Sequence, residues 1–314
     1  MSKLAVIFAG QGSQYPGMGL EYLENNQKLN DKIKTASEIL GFDVVEVLNS
    51  SDGRLTETIY TQPLVFLSSM MAFDTFMELG ISFSAVAGFS LGEYTALYAS
   101  EVFTFEQILR IIIFRSIWMQ ECSIKYPGKM AAILGLSSNE VDDVCKIAQS
   151  EGIVVSANYN SPVQVVISGE ESAVLKAIEI AKSKGAKRAI MLNVSGAFHS
   201  PLMKEAGTAL SQYIANVVDQ PFKYPIYMNT TAKPLIQKEL KIEMEKQIQS
   251  SVYFEQTIKQ MVADGFTHFI EIGPGSVISG LIKKIDLNLN VAHLDKKSDL
   301  EALKGWLNTH GFNK

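Results

Sequence analysis

Three runs of this chain, KLAVIFAG, ISFSAVAG and THFIEIG, limit its fold more than any other feature. Each is short and largely apolar, and each reaches a glycine that opens a turn and then a helical pattern. Continuous apolarity over one strand length marks a strand buried on both faces. Strands of that kind alternating with helices build a mainly parallel sheet with helices on both sides. In such sheets the reactive groups collect in loops at the carboxyl ends of the strands.

Between about residues 128 and 194 the pattern changes. KMAAILGL reads as a strand and SSNEVDDVCKIAQSEG as a capped helix. IVVSANYN and VQVVISG read as two strands joined by the turn NSP; EESAVLKAIEIAKSKG is a helix stopped by glycine, and AKRAIMLNV a last strand. The order β-α-β-β-α-β is that of a ferredoxin-like unit. The expected organisation is α/β: a mainly parallel core from residues 1–127 and 195–314, interrupted by a small ferredoxin-like subdomain at 128–194.

Composition removes several functions. With 314 residues, 47% of them hydrophobic, the chain can bury a sizeable core. Its net charge is −5 and its lysines and arginines are scattered, whereas nucleic-acid binding needs a concentrated basic surface. Cys122 and Cys145 have no metal spacing and suggest no disulfide framework. The first apolar run is too short for a signal segment, and no uncharged run approaches the roughly 20 residues of a membrane span. A soluble, cytoplasmic protein is expected, with no nucleic acid and no membrane among its partners.

Gly88–Gly92, GFSLG, fits the G-x-S-x-G nucleophile elbow, with a strand before it and the helical pattern LGEYTALYAS after it. A glycine-flanked serine can also be an incidental turn. In this context Ser90 reads as a nucleophile near a helix N-terminus, where partial positive charge favours a developing oxyanion. A serine hydroxyl needs a base at neutral pH. Of four histidines, His310 lies in a polar tail expected to be mobile, and His268 lies inside a strand. His293 follows a strand-like run, and His199, in VSGAFHSPLM, occupies a loop. The Ser-Pro after His199 suits an N-cap and first helical residue, and a helix N-terminus beside the ring favours neutral imidazole. His199 is therefore the candidate base, with a backbone or amide carbonyl in place of the carboxylate of a Ser-His-Asp triad.

Arg115 is unusual. Helical spacing in FEQILRIIIFRSIWMQEC sets it on one face with Ile108, Ile111, Ile112, Trp118 and Met119. A guanidinium there requires an anion, either an internal partner such as Glu93 or a substrate carboxylate gripped by its planar fork. GQGSQYPGMG after the first strand fails both nucleotide-loop patterns, having Tyr15 where a glycine is needed and no Gly-Lys-Ser/Thr. Such a turn can instead aim a backbone N–H, for instance that of Gln11, at the serine; the residue after the nucleophile is the usual second donor.

With Ser90, His199, Arg115 and the Gln11 loop identified, the chain resembles the malonyl-CoA:acyl carrier protein transacylases. The resemblance is carried over essentially the whole length by GQGSQ, GFSLGEY, RSIWMQ, NYNSPVQVVISG, AFHSPLM, QIQSSVYF and EIGPG, in that order. It implies a hydrolase-like α/β core with a ferredoxin-like subdomain. It further implies Ser90 as the acylated nucleophile, His199 as the base, and the N–H groups of Gln11 and Leu91 as the oxyanion hole. Arg115 would bind the malonyl carboxylate, and Gln247 matches the glutamine whose carbonyl orients the histidine. The implied reaction moves malonyl from malonyl-CoA to the phosphopantetheine thiol of an acyl carrier protein, in fatty-acid or polyketide synthesis. Neither metal nor cofactor is implied, both thioester carriers being substrates, and nothing demands more than a monomer.

The AFHS form is the one associated with malonyl rather than methylmalonyl units. Phe89 departs from the commoner G-H-S-x-G, which bears on substrate selection, and Ser251 stands where the family often has proline. Because carrier proteins of this kind are acidic, a local basic patch is expected, with Lys182, Lys184, Lys187 and Arg188 as candidates. Two other functions fit parts of the pattern. One is a serine hydrolase with water as acceptor, using a C-terminal histidine such as His293 with an aspartate; the other is a non-catalytic carrier-docking module.

Overall fold

The computed structural model describes residues 2–312. Nine strands are found among them, in chain order β1 Lys3–Phe8, β2 Ala85–Gly88, β3 Lys129–Leu134, β4 Val154–Ser161, β5 Gln164–Gly169, β6 Arg188–Met191, β7 Ile226–Tyr227, β8 Phe266–Ile272 and β9 Asn290–Leu294. The chain divides into two compact units. One is formed by the chain up to Ile113, by Val218–Tyr227 and by the chain from Met261 onward; the other by Phe114–Val217 and Met228–Gln260. The segment 128–194 lies wholly inside the second.

The first unit is built on a five-stranded sheet, order β7-β2-β1-β8-β9, in which every neighbouring pair is parallel. Leu4 to Phe8 of the central strand β1 are all buried, as continuous apolarity demands of a strand covered on both faces. The run ISFSAVAG delivers only its last four residues to the sheet, since Ser84 bends the chain before β2. Helix Gly92–Ala99 follows β2 at once and packs on β1 and β2. Glu271, buried within β8, accepts hydrogen bonds from the amides of Ile278 (3.0 Å) and Ser279 (2.7 Å), in the first turn of helix Val277–Ile285. The glutamate of EIGPG is thus a cap that ties the sheet to the next helix, and its burial pushes its carboxyl above the usual range.

The second unit contains an antiparallel sheet of order β4-β5-β3-β6. In the order of the chain segment this is second, third, first, fourth, the arrangement of a ferredoxin-like unit. Ala131, Ile133, Val165 and Ile167 form one core with Val144 of helix Ser138–Ala148 and Val174 of helix Glu171–Ser183. The first of these helices begins with a capping box: the Ser137 hydroxyl accepts from the Glu140 amide, and the Ser137 amide donates to the Glu140 carboxylate at 2.8 Å. The β4–β5 turn falls at Pro162–Val163 rather than over NSP, because pairing persists to Ser161. Both cysteines are buried in helices, and burial pushes the Cys145 thiol up to about 12.

His310 is not in a loose tail. It closes helix Leu300–Thr309, its Nδ1 lies 3.1 Å from His268 Nε2, and Trp306 and Phe312 pack around His268. Aromatic rings placed at helical and turn spacing outweigh the polarity of the surrounding letters. No helix among the described residues is long and apolar enough to cross a membrane.

Candidate active site

Ser90, Leu91 and Gln11 belong to the first unit, and Arg115, His199 and Gln247 to the second. In the first unit, Ser90 sits between β2 and helix Gly92–Ala99 at φ +51°, a left-handed backbone that non-glycine residues avoid. Holding it there costs about 1–2 kcal/mol, and the surroundings show why it stays. The Phe89 amide donates to the carbonyl of Phe8 at 3.0 Å, and the Glu93 amide to that of Ser90, also at 3.0 Å. A Cβ on Gly88 would overlap the backbone of Gly92 and Glu93, and one on Gly92 would overlap the carbonyl of Phe8. Both motif glycines are therefore obligatory for strand, turn and helix to close on one another, and the turn is not incidental.

The Gln11 loop lies against this elbow, for a Cβ on Gly10 would overlap the carbonyl oxygen of Phe89. The loop is held internally by the Ser13 hydroxyl, which donates to the Gly10 carbonyl (2.7 Å), and by the Gly12 amide, which donates to Gln14 Oε1 (2.8 Å). Gln62, fully buried in helix Thr58–Glu78, donates from Nε2 to Gln11 Oε1 at 3.4 Å. Sequence reasoning passed over this glutamine; its signal was the one amide side chain in the helix, placed just before its long apolar run. The backbone N–H groups of Gln11 and Leu91 donate to no acceptor among the described residues. Two amides of this kind suit an oxyanion.

In the second unit, Arg115 is 1% exposed on helix Phe105–Lys125. Ile108, Ile111, Ile112 and Met119 share its buried face as the spacing requires, but Trp118 is 36% exposed. Trp118 lies at the margin of that face, and its ring packs on Phe114, which itself stacks on Tyr213. Arg115 Nη2 donates to Gln247 Oε1 at 3.1 Å, both side chains being buried. His199 Nδ1 lies 2.9 Å from the backbone carbonyl of the same glutamine. A carbonyl oxygen only accepts, so Nδ1 carries the proton and Nε2 keeps its lone pair.

Gln247 can do both because it lies in the last turn of helix Leu240–Gln249, where carbonyls have no partner within the helix. The next such carbonyl, of Ile248, accepts from the His199 amide at 3.2 Å. These two bonds hold His199 at φ +58°, in the left-handed region. Ser200 behind it caps Leu202, and Pro201 follows as the first helical residue, as the Ser-Pro pair suggests. His199 is 4% exposed. Burial first, and then the neighbouring Arg115 cation, lower its pKa to about 4, against the upward pull of the backbone bonds. Desolvation and a nearby guanidinium thus both favour the neutral form.

Ser251, where proline was the commoner choice, donates from its hydroxyl to the Ser156 carbonyl at 2.7 Å, and Val252 bridges to Asn158. The chain beyond Gln247 is thereby fastened to β4. Among the described residues no group of three or more His, Cys, Asp or Glu side chains is arranged to hold a metal ion.

Known proteins match this sequence and this fold over nearly their full lengths. The acyl transferase domain family matches residues 6–292. A malonyl CoA-acyl carrier protein transacylase of Staphylococcus aureus strain MW2 is 38% identical over 309 residues, which are 98% of this chain and 99% of that one. The crystal structure of a malonyl CoA-acyl carrier protein transacylase from Clostridium perfringens superposes with a TM-score of 0.94 at 34% identity, covering 99% of this chain and 98% of that one. A malonyl-transacylase solved in complex with its type II PKS acyl-carrier protein gives 0.92 at 33% identity, covering 97% of this chain and all of that one (100%).

Proposed function

The chain belongs to the malonyl-CoA:acyl carrier protein transacylase family, and we propose that it moves malonyl from malonyl-CoA to the phosphopantetheine thiol of an acyl carrier protein through a malonyl ester on Ser90. The observation that carries this reading is a buried guanidinium, Arg115, beside a histidine held neutral with its lone pair on Nε2. The planar fork of a guanidinium pairs with the carboxylate end of such an acyl group through two parallel N–H bonds.

In the first half-reaction Ser90 gives its proton to His199 Nε2 and its oxygen attacks the thioester carbonyl. The N–H groups of Gln11 and Leu91 hold the resulting oxyanion, a contribution of about 3–4 kcal/mol for each donor. Collapse breaks the carbon–sulfur bond, and the coenzyme A thiolate leaves with the proton from His199. In the second half the phosphopantetheine thiol loses its proton to the same nitrogen and attacks the malonyl ester. Ser90 then departs and recovers the proton. Arg115 holds the malonyl carboxylate through both halves and favours acyl groups that carry one, since only these form the charge-assisted pair with its guanidinium.

The same proposal sets the reaction in fatty-acid or polyketide synthesis, in the cytoplasm, performed by a monomer that uses no cofactor beyond its two substrates. A hydrolase based on His293 is disfavoured. That residue is half-exposed on β9, 3.9 Å from Asp299, and β9 stands three strands from β2, roughly 14 Å at about 4.8 Å per strand. Mass spectrometry after mixing with malonyl-CoA alone tests the proposal: a malonyl adduct on Ser90, discharged by holo-carrier protein as malonyl-carrier, is expected. Free malonate as the main product, or no adduct at all, would refute it.

A further inference from the structure

We propose that the side-chain amide of Gln247 is a positioning device for Arg115 and sets the preference for acyl groups that end in a carboxylate, separately from the bond its main chain makes to His199. The proposal rests on the malonyl reading above. Two hydrogen bonds leave this one residue by different routes: Arg115 Nη2 reaches Oε1 at 3.1 Å, and His199 Nδ1 reaches the main-chain oxygen at 2.9 Å. Gln247 is fully buried, so neither bond competes with bulk water.

The chemistry of the pair explains why an amide suits the position. A guanidinium recognises a carboxylate through two parallel N–H bonds, which requires its plane to be fixed before the ligand arrives. A bond from one terminal nitrogen to a rigidly placed oxygen fixes that plane. The acceptor is neutral, so it orients the cation without cancelling its charge. A carboxylate of the same shape would orient it equally well and also neutralise it, competing with the acyl group for the same cation. Any residue at 247 keeps the main-chain carbonyl, so the two functions can be separated by substitution.

The test compares wild type, Gln247→Leu and Gln247→Glu in single-turnover acylation of Ser90 by malonyl-CoA and by acetyl-CoA, each across pH. Losing a hydrogen bond to a charged group lowers kcat/KM for malonyl-CoA by about ten- to a hundred-fold in the leucine variant. Its acetyl-CoA rate falls by clearly less, so the malonyl-to-acetyl ratio drops, and the acid limb of its pH profile stays in place, because the main-chain bond to His199 remains. The glutamate variant, which preserves side-chain shape, loses malonyl acylation at least as far. A malonyl-to-acetyl ratio unchanged in either folded variant overturns the proposal. So does an equal loss for both acyl groups with a displaced acid limb, which would mean that the effect runs through His199. Should the leucine variant fail to fold, the isosteric glutamate variant decides by its malonyl-to-acetyl ratio alone, since a carboxylate beside Arg115 moves the acid limb in either case. Wild type that takes no malonyl refutes the function itself, a different result from wild type that takes malonyl while the variants keep its preference.

Discussion

Replacing Arg115 by methionine removes its charge while keeping most of its volume, so the burial of His199 is retained. Two consequences can be measured apart. A carboxylate brought into a buried site without its partner cation costs about 3–5 kcal/mol, or about two to four orders of magnitude in kcat/KM for malonyl-CoA. Acetyl-CoA has no carboxylate to lose, so acylation by it at pH 8, where His199 is neutral in either protein, stays near the wild-type rate. The second consequence concerns the ring itself. His199 is depressed from 6.5 to about 4, a difference worth about 3 kcal/mol, with burial the larger cause and Arg115 the next. Without the cation the protonated ring is less disfavoured, and the acid limb of the acetyl profile moves up from near pH 4. It stays below 6.5, because burial still opposes the charge. Rapid-quench acylation from pH 4 to 8 reads both effects. Equal loss of the two acyl groups in a folded variant, or an acid limb that does not move, would refute the assignment of Arg115.

Three further outcomes follow from the same geometry. Because His199 binds its proton more weakly in the folded chain than in the unfolded one, the wild type loses up to about 3 kcal/mol of stability as pH falls from 6.5 to 4. Urea unfolding of His199→Gln at pH 7 and pH 4.5 should show that much less pH dependence. Gly88→Ala forces a methyl group into the backbone of Gly92 and Glu93, so a stability loss of about 1–3 kcal/mol is expected, with Ser90 acylation falling further than the melting temperature suggests. Lys187 and Arg188 are exposed at the start of β6, and Lys187→Glu with Arg188→Glu should raise KM for holo-carrier protein several-fold at low salt. Acylation by malonyl-CoA should not change, and a salt-independent KM in wild type would remove the patch from consideration.

What could be read from the sequence was set by how local each cause is. A strand such as β1 announces itself because burial on both faces demands an unbroken apolar run, and Ser137 with Glu140 announces a helix start three residues apart. β7 is two residues, Ile226 and Tyr227, paired in parallel with β2, and so short a run carries no periodicity. Helix Thr58–Glu78 is buried on nearly all sides, which erases the amphipathic period that would reveal it. The site divides in the same way. Ser90 and its glycines are legible because strand, turn and helix are consecutive in the chain, so the steric demand for Gly88 and Gly92 is written within five letters. Gln247 has no such context. Its importance comes from lying at a helix end, where its carbonyl is left to a histidine 48 residues earlier and its amide to an arginine 132 residues earlier. Nothing near it in sequence encodes either bond, so only a resemblance named it, and that named only a carbonyl for the histidine. The same logic applies to the histidine's neutrality. A helix start can be read from Ser-Pro, but the desolvation and the guanidinium that hold the ring neutral arise from contacts distant in the chain. Where a catalytic property is produced by long-range burial rather than by a motif, the residues can be legible while the cause is not.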